Sequence, residues 1–322
     1  MKNIKFAVLC FLLFFSAVSM TAALKNPLII KETQGTLLCR DYSGKQILLH
    51  KKPKRVIIGY TSLVGVWYCA GGKAIAIPTT LEMHVENLPE VARKLPRIGS
   101  FSNLNLEKII SMKPDLVILP AFRCKEGVRD ILNESGIENI VVNYSNYTDF
   151  RNVFGLFCHL NGTTLQSNKY AADISSAINK LIVKAGKKKS PSFVSIFYNG
   201  RGLACETSKA NSAQIAGMLN GNNLIDKAAA GLRGSRIPFS LEKIIMDDPD
   251  IILFTTMCNS KNAQNKLKKE LFSDPAWKEL SAVKNNRVYL LPNRLFLYKA
   301  NERYPDAFRY MAKILYPLER WD

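Results

Sequence analysis

The chain has 322 residues, 47% of them hydrophobic, and a formal net charge of +19. That length holds two domains of ordinary size, each with its own core, and the composition excludes a chain disordered over long spans. The cation excess favours an anionic partner, either a small acidic ligand or a membrane surface; nucleic acid is disfavoured because no stretch interleaves basic and aromatic residues.

Lys2 and Lys5 precede the apolar run Phe6 to Met20, and Thr21-Ala22-Ala23 supplies the small residues a signal peptidase reads. Residues 1–23 are therefore expected to be a secretory signal cut near Ala23. The alternative, a retained anchor, suffers because a membrane span needs about 20 apolar residues. Cys10 sits inside the apolar run after Leu9, where a lipoprotein signal needs a small residue, so an exported soluble protein is expected. Six cysteines remain in the mature chain, Cys39, Cys69, Cys124, Cys158, Cys205 and Cys258. None forms a CxxC pair, which leaves disulfides and buried free thiols both open.

Thr36 to Arg40 and Gln46 to His50, around Asp41-Tyr42-Ser43-Gly44, predict a hairpin. A strand at Arg55 to Gly59, a helix at Ser62 to Cys69 and a strand at Ala74 to Ile77 then start a parallel sheet. A helix at Glu126 to Ser135, a strand at Asn139 to Val142 and a helix from Asp149 follow. Thr164 to Ala185 has no Pro or Gly, and Ala171, Ile174, Ile178, Leu181 and Ile182 recur at helical spacing. Beyond it come a strand at Phe193 to Tyr198, helices at Ala210 to Leu219 and Asn262 to Leu271, a strand at Arg287 to Leu291 and a closing helix at Pro305 to Leu315. The expected organisation is an N-terminal α/β lobe over 24–163, a connecting helix over 164–187 and a C-terminal α/β lobe over 188–322.

One unit is written twice. LEKIISMKPDLVILP begins at Leu106 and LEKIIMDDPDIILFT at Leu241, aligned without a gap. Asn105 and Ser240 are N-cap candidates, and Leu, Ile and Ile define the buried face, so Glu107 and Glu242 fall in the first turn and point outward. A helix dipole stabilises such a carboxylate by roughly 0.3–1 kcal/mol, but gives no reason for equivalent placement in both copies. Asp115 and Asp250 begin the following strands and are read as turn-capping residues, not as an acid–base pair.

The series RVIIGY, LPRIG, NLEKIISMKPDLVI, the long helix, SLEKIIMDDPDIIL, DPAWKELSAVKNNRVYLLP and LYP resembles the periplasmic binding proteins of ABC importers for iron-siderophores, haem and cobalamin, from about Lys54 to Pro317. The resemblance implies the class III fold, two Rossmann-like lobes with central parallel sheets joined by one long helix. It further implies a monomer with no cofactor of its own, working in the periplasm with a dimeric inner-membrane permease and its ATPase. In that family one surface Glu per lobe docks to permease arginines, a role that falls to Glu107 and Glu242.

Ligands of parallel α/β lobes bind beyond the carboxyl ends of the strands. Residues just past the predicted strands are Tyr60, Phe101, Arg123 and Tyr144 in the first lobe, and Tyr198, Arg201, Arg233, Arg236, Arg294 and Tyr298 in the second. Guanidinium forks suit carboxylate or catecholate oxygens and rings cover flat surfaces, so these residues predict an anionic iron chelate such as a ferric siderophore. Haem, with Tyr60 or Tyr198 as an axial ligand, cobalamin and an oxyanion such as molybdate remain open. Only His50, His84 and His159 exist, and His159 is read as packed in an apolar helix, which disfavours a bare-metal site. Cys124 and Cys258 fall after the two repeat strands and border the same cleft. A secreted two-lobed enzyme is the rival class, but GxSxG, HExxH and a phosphate-cradling Gly-rich loop are all absent from the sequence.

Overall fold

A computed structural model describes residues 26–80, 88–100, 102–121, 127–165, 167–232, 234–257 and 274–322, with Asn265 and Lys269. The signal-peptide assignment, the helix predicted over Asn262 to Leu271 except Asn265 and Lys269, and His84, Phe101, Arg123, Cys124, Arg233 and Cys258 lie outside the described residues. No helix among the described residues is long and apolar enough to cross a membrane.

Alternating apolar residues build the first sheet. β1 (Ile29–Glu32), β2 (Thr36–Arg40) and β3 (Gln46–His50) are antiparallel in that order and bury Leu37, Cys39 and Leu49. The β2–β3 turn follows its sequence: Asp41 accepts hydrogen bonds from Ser43 and the Lys45 amide, and Gly44 takes a φ of 83°.

In the first lobe β4 (Val56–Ile58) leads into α1 (Thr61–Cys69), and a hairpin of β5 (Gly99–Ser100) and β6 (Asn103–Leu104) leads into α2 (Leu106–Ser111). β7 (Leu116–Pro120), α3 (Val128–Glu134), β8 (Glu138–Val142) and α4 (Tyr147–Leu160) follow. The strands form a parallel sheet in the order β4-β7-β8. The strand predicted at Ala74 to Ile77 is reduced to two isolated bridges, Ile57 with Ala76 and Ile77 with Arg97. Its residues alternate partners, bonding β4 on one side and Pro96 and Ile98 on the other, so no continuous ladder forms.

The long helix α5 runs Lys169–Ala185, shorter than its sequence pattern. Thr164 and Ser167 form a local turn, the Thr164 amide donating to Ser167 Oγ at 2.9 Å, and Asn168 then caps the helix by accepting from the Ala171 amide. Short polar side chains compete with helix at precisely these positions by bonding nearby amides.

The second lobe contains β9 (Ser192–Tyr198), β10 (Leu203–Glu206), α6 (Asn211–Met218), β11 (Asn222–Asn223), β12 (Arg236–Pro238), α7 (Leu241–Asp247), β13 (Ile251–Thr256), β14 (Val288–Leu290) and α8 (Tyr304–Leu315). Strand order is β12-β10-β9-β13-β14, with β11 also on β9. The centre is parallel, but β10 and β12 run antiparallel at one edge, where no strand is expected from the sequence. Strands of four and three residues are too short to show alternation.

The two repeat units occupy equivalent places. β7 lies between β4 and β8, as β13 lies between β9 and β14. Asn105 and Ser240 accept from the Lys108 and Lys243 amides, and Lys113 and Asp248 take φ of 46° and 38° in the turn. Asp115 and Asp250 reach across the sheet, which corrects their reading as local turn caps. Asp115 accepts from the Lys54 and Arg55 amides at 2.7 and 2.9 Å, and Asp250 from the Ser192 amide at 2.7 Å. Each carboxylate thus fixes the start of its neighbouring strand.

More than the helix joins the lobes. One continuous apolar core takes side chains from α1, α4, α5, α6 and α8. Tyr144, Tyr147 and Phe150 of the first lobe interlock with Tyr304 and Phe308 of the second, with ring centroids 4.8 Å apart for Phe150 and Tyr304. Around them Tyr144 Oη donates to Asn301 Oδ1 at 2.8 Å, and Gln214 exchanges two hydrogen bonds of 3.1 Å with Thr148. Separating the lobes widely would expose this aromatic cluster, so closure around a ligand is expected to be modest.

Candidate functional site

Antiparallel pairing of β10 with β12 sets Glu206 opposite Arg236, 30 residues away in sequence. Glu206 is 3% exposed. Its Oε1 accepts from Arg236 Nε and Nη2 at 3.2 and 3.0 Å, and its Oε2 accepts from Ser195 Oγ at 2.9 Å, Ser212 Oγ at 2.6 Å and Thr255 Oγ1 at 3.4 Å. A buried carboxylate is tolerated when paired and hydrogen-bonded to this degree. The guanidinium is further fixed over the Phe197 ring, 3.5 Å from its centroid.

A pocket of about 150 Å³ opens beside this pair at the junction of the lobes. Arg236, Lys209 and Lys299 line it with Asn211 and Ser212 from the first turn of α6, and Ser145 closes it from the first lobe. Ala210, the N-cap of α6, has no side-chain acceptor, so the positive end of the helix dipole adds to the cationic wall. The one carboxylate in the lining among the described residues is already committed to Arg236 and three hydroxyls. The excess of positive charge suits carboxylate, catecholate or other oxyanion groups, which Arg binds through several donors at once.

Lys299 is the unusual member. It adopts a φ of 71°, a conformation that costs a non-glycine residue energy and is sustained only by its surroundings. Its Nζ donates to Ser145 O at 2.8 Å and lies 5.5 Å from the Tyr144 ring centroid, bridging the lobes. Burial lowers its pKa to about 8; Arg236 pushes the same way, against Asp149 and Glu206. Burial in turn raises Asp149, which accepts from the Ser145 amide.

Of the predicted ligand residues, Arg236 alone among the described ones lines this pocket. Arg201 and Arg294 are exposed elsewhere, Tyr298 is half-buried, and Tyr60 is half-buried at the N-cap of α1 against the core. Tyr144 and Tyr198 are corrected to core positions. Each is 5% exposed, and their hydroxyls are spent on Asn301 and on Gly200 O at 3.3 Å. Glu206, Lys209, Ser212 and Lys299 went unrecognised in the sequence. Lys299 had one available signal, its place directly after the singled-out Tyr298.

Glu107 and Glu242 are both exposed on the first turns of α2 and α7, and neither forms an ion pair with the described residues. Cys39, Cys69, Cys158 and Cys205 are free thiols. Burial raises the first two to about 12 and the last two to about 11, which suppresses the reactive thiolate. His159, with a side chain 23% exposed, pairs through Nδ1 with Glu32 of β1 at 2.7 Å.

Residues 56–295 match the family model described as periplasmic binding protein. An uncharacterized ABC transporter substrate-binding lipoprotein, YvrC, of Bacillus subtilis is 22% identical over 86% of this chain and 84% of its own length. The Fe(3+)-citrate-binding protein YfmC of the same organism is 24% identical over 80% of this chain and 79% of its own. An ABC transporter substrate-binding protein from Listeria monocytogenes superposes with a TM-score of 0.71 at 21% identity, covering 83% of this chain and all of that one. The helix-joined two-lobed fold is therefore the class III binding-protein fold.

Proposed function

The chain belongs to the periplasmic binding protein family, and on that premise we propose that it captures an anionic iron chelate, a ferric siderophore, between its lobes and delivers it to an ABC importer. The observation that carries the ligand class is the junction pocket, which Arg236, Lys209, Lys299 and the start of α6 line together and whose only carboxylate among the described residues is internally paired. Similarity to a relative named for Fe(3+)-citrate agrees with a multiply charged carboxylate ligand. The pocket accommodates the anionic head of such a chelate. Residues 1–23 act as the export signal, and the protein works as a periplasmic monomer without a catalytic step.

Glu107 and Glu242 dock the loaded protein to the permease. Exposed carboxylates of this kind contribute little to stability, so their role is register and partner choice. The test is purification from the native host, followed by the absorption spectrum and mass of the bound molecule. A ferric charge-transfer band with an anionic chelator supports the reading; a haem Soret band or a corrinoid spectrum contradicts it. A small oxyanion such as molybdate is the second reading, favoured by the pocket volume of about 150 Å³, and the same experiment detects it as bound metal without an organic chelator.

A further inference from the structure

The two repeat helices differ where they face solvent. On α7 the exposed Glu242 shares a helical face with Ile245 and Met246, three and four residues on. Met246 is 82% exposed and Ile245 36% exposed. At the equivalent places on α2 stand Ile110, packed against the first-lobe core, and Ser111, whose hydroxyl donates to Lys108 O at 2.9 Å. Because α2 builds the same turn and the same following strand with a serine, the fold does not require methionine at position 246.

We infer that the docking surface is unequal, and that Met246 with Ile245 forms an apolar contact beside Glu242 which the first lobe lacks. The occupant is the importer's permease, offering a cation next to an apolar hollow; this rests on the docking role proposed above for Glu242. Charge complementarity and continuity point to that partner, since the apolar pair lies on the face of a carboxylate that has no ion pair among the described residues. Methionine suits such a contact because its flexible thioether adapts to irregular surfaces. An apolar anchor beside a charge dominates binding more than a second isolated charge would, so the C-terminal lobe carries the larger share of the affinity.

The experiment measures binding of the mature protein, loaded with ferric citrate, to the native host's permease–ATPase complex in lipid nanodiscs. Met246→Ser, which copies the first lobe, is expected to weaken binding about tenfold and to leave ferric citrate affinity unchanged. Leu318→Ser, at a 99% exposed site on the C-terminal segment, is expected to change neither. If Glu242→Lys weakens binding but Met246→Ser does not, the apolar contact is wrong and the docking role stands. If Glu242→Lys has no effect, the docking role itself fails. Equal losses from Met246→Ser and Leu318→Ser would reduce the effect to general surface hydrophobicity and overturn the inference.

Discussion

Set side by side, the two lobes agree in their skeleton and part company at the cleft. Ile109 and Ile244 are wholly buried at equivalent positions, Lys113 and Asp248 make the same left-handed turn, and Asp115 and Asp250 hold the first amides of the adjacent strands. At the junction pocket the symmetry is gone: the first lobe offers Ser145, while the second supplies Glu206, Lys209, Ser212, Arg236 and Lys299. What the repeat preserves is the means of building a parallel sheet, and what it leaves free to differ is the chemistry at the strand ends.

The sharpest way to test that equivalence is to empty the same core position in each lobe. Ile109→Ala and Ile244→Ala should each destabilise by about 2–5 kcal/mol in denaturant titrations; a loss in one lobe only would break the comparison. Glu206→Ala, which has no first-lobe counterpart, should cost about 3 kcal/mol by leaving Arg236 and three hydroxyls without their acceptor. Asp115→Ala and Asp250→Ala should each cost about 1–2 kcal/mol through unpaired strand amides.

A pH effect of opposite sign on stability and on binding is expected at Lys299. Its folded pKa lies below the unfolded value, at about 8. Below pH 8 both states carry the charge and the burial penalty is fully present. Between about 8 and 10.5 the unfolded chain binds the extra proton, so the contribution of this group to stability improves as pH rises. Anion affinity should move the opposite way, falling as pH passes through about 8, and Lys299→Gln should abolish that step in a binding titration. Smallest of all, Glu107→Lys and Glu242→Lys should each change stability by less than about 1 kcal/mol, because a first-turn carboxylate gains only dipole stabilisation.

The sequence carried the skeleton because the skeleton is periodic: apolar runs mark β7 and β13, and the spacing of Ala171, Ile174, Ile178 and Leu181 marks α5. The pocket was mostly hidden. Glu206 and Arg236 meet through two strands, β10 and the edge strand β12, that are too short to show a pattern, and Lys299 reaches Ser145 from a left-handed backbone that no local residue type announces. Tyr144 and Tyr198 follow strands as cleft residues do, yet internal acceptors claim their hydroxyls, and strand position alone does not reveal that.

The most direct measurement is calorimetric titration of ferric citrate into the wild-type chain and into the Arg236→Gln/Lys299→Gln variant at pH 7. Binding by the wild type and a loss of at least about 100-fold in the variant, with a cooperative thermal transition kept but lowered by the loss of the Arg236–Glu206 pair, is the expected result, since each charged hydrogen-bond donor contributes about 1.5–3 kcal/mol. Equal affinity in both proteins would contradict an anionic chelate held at this pocket.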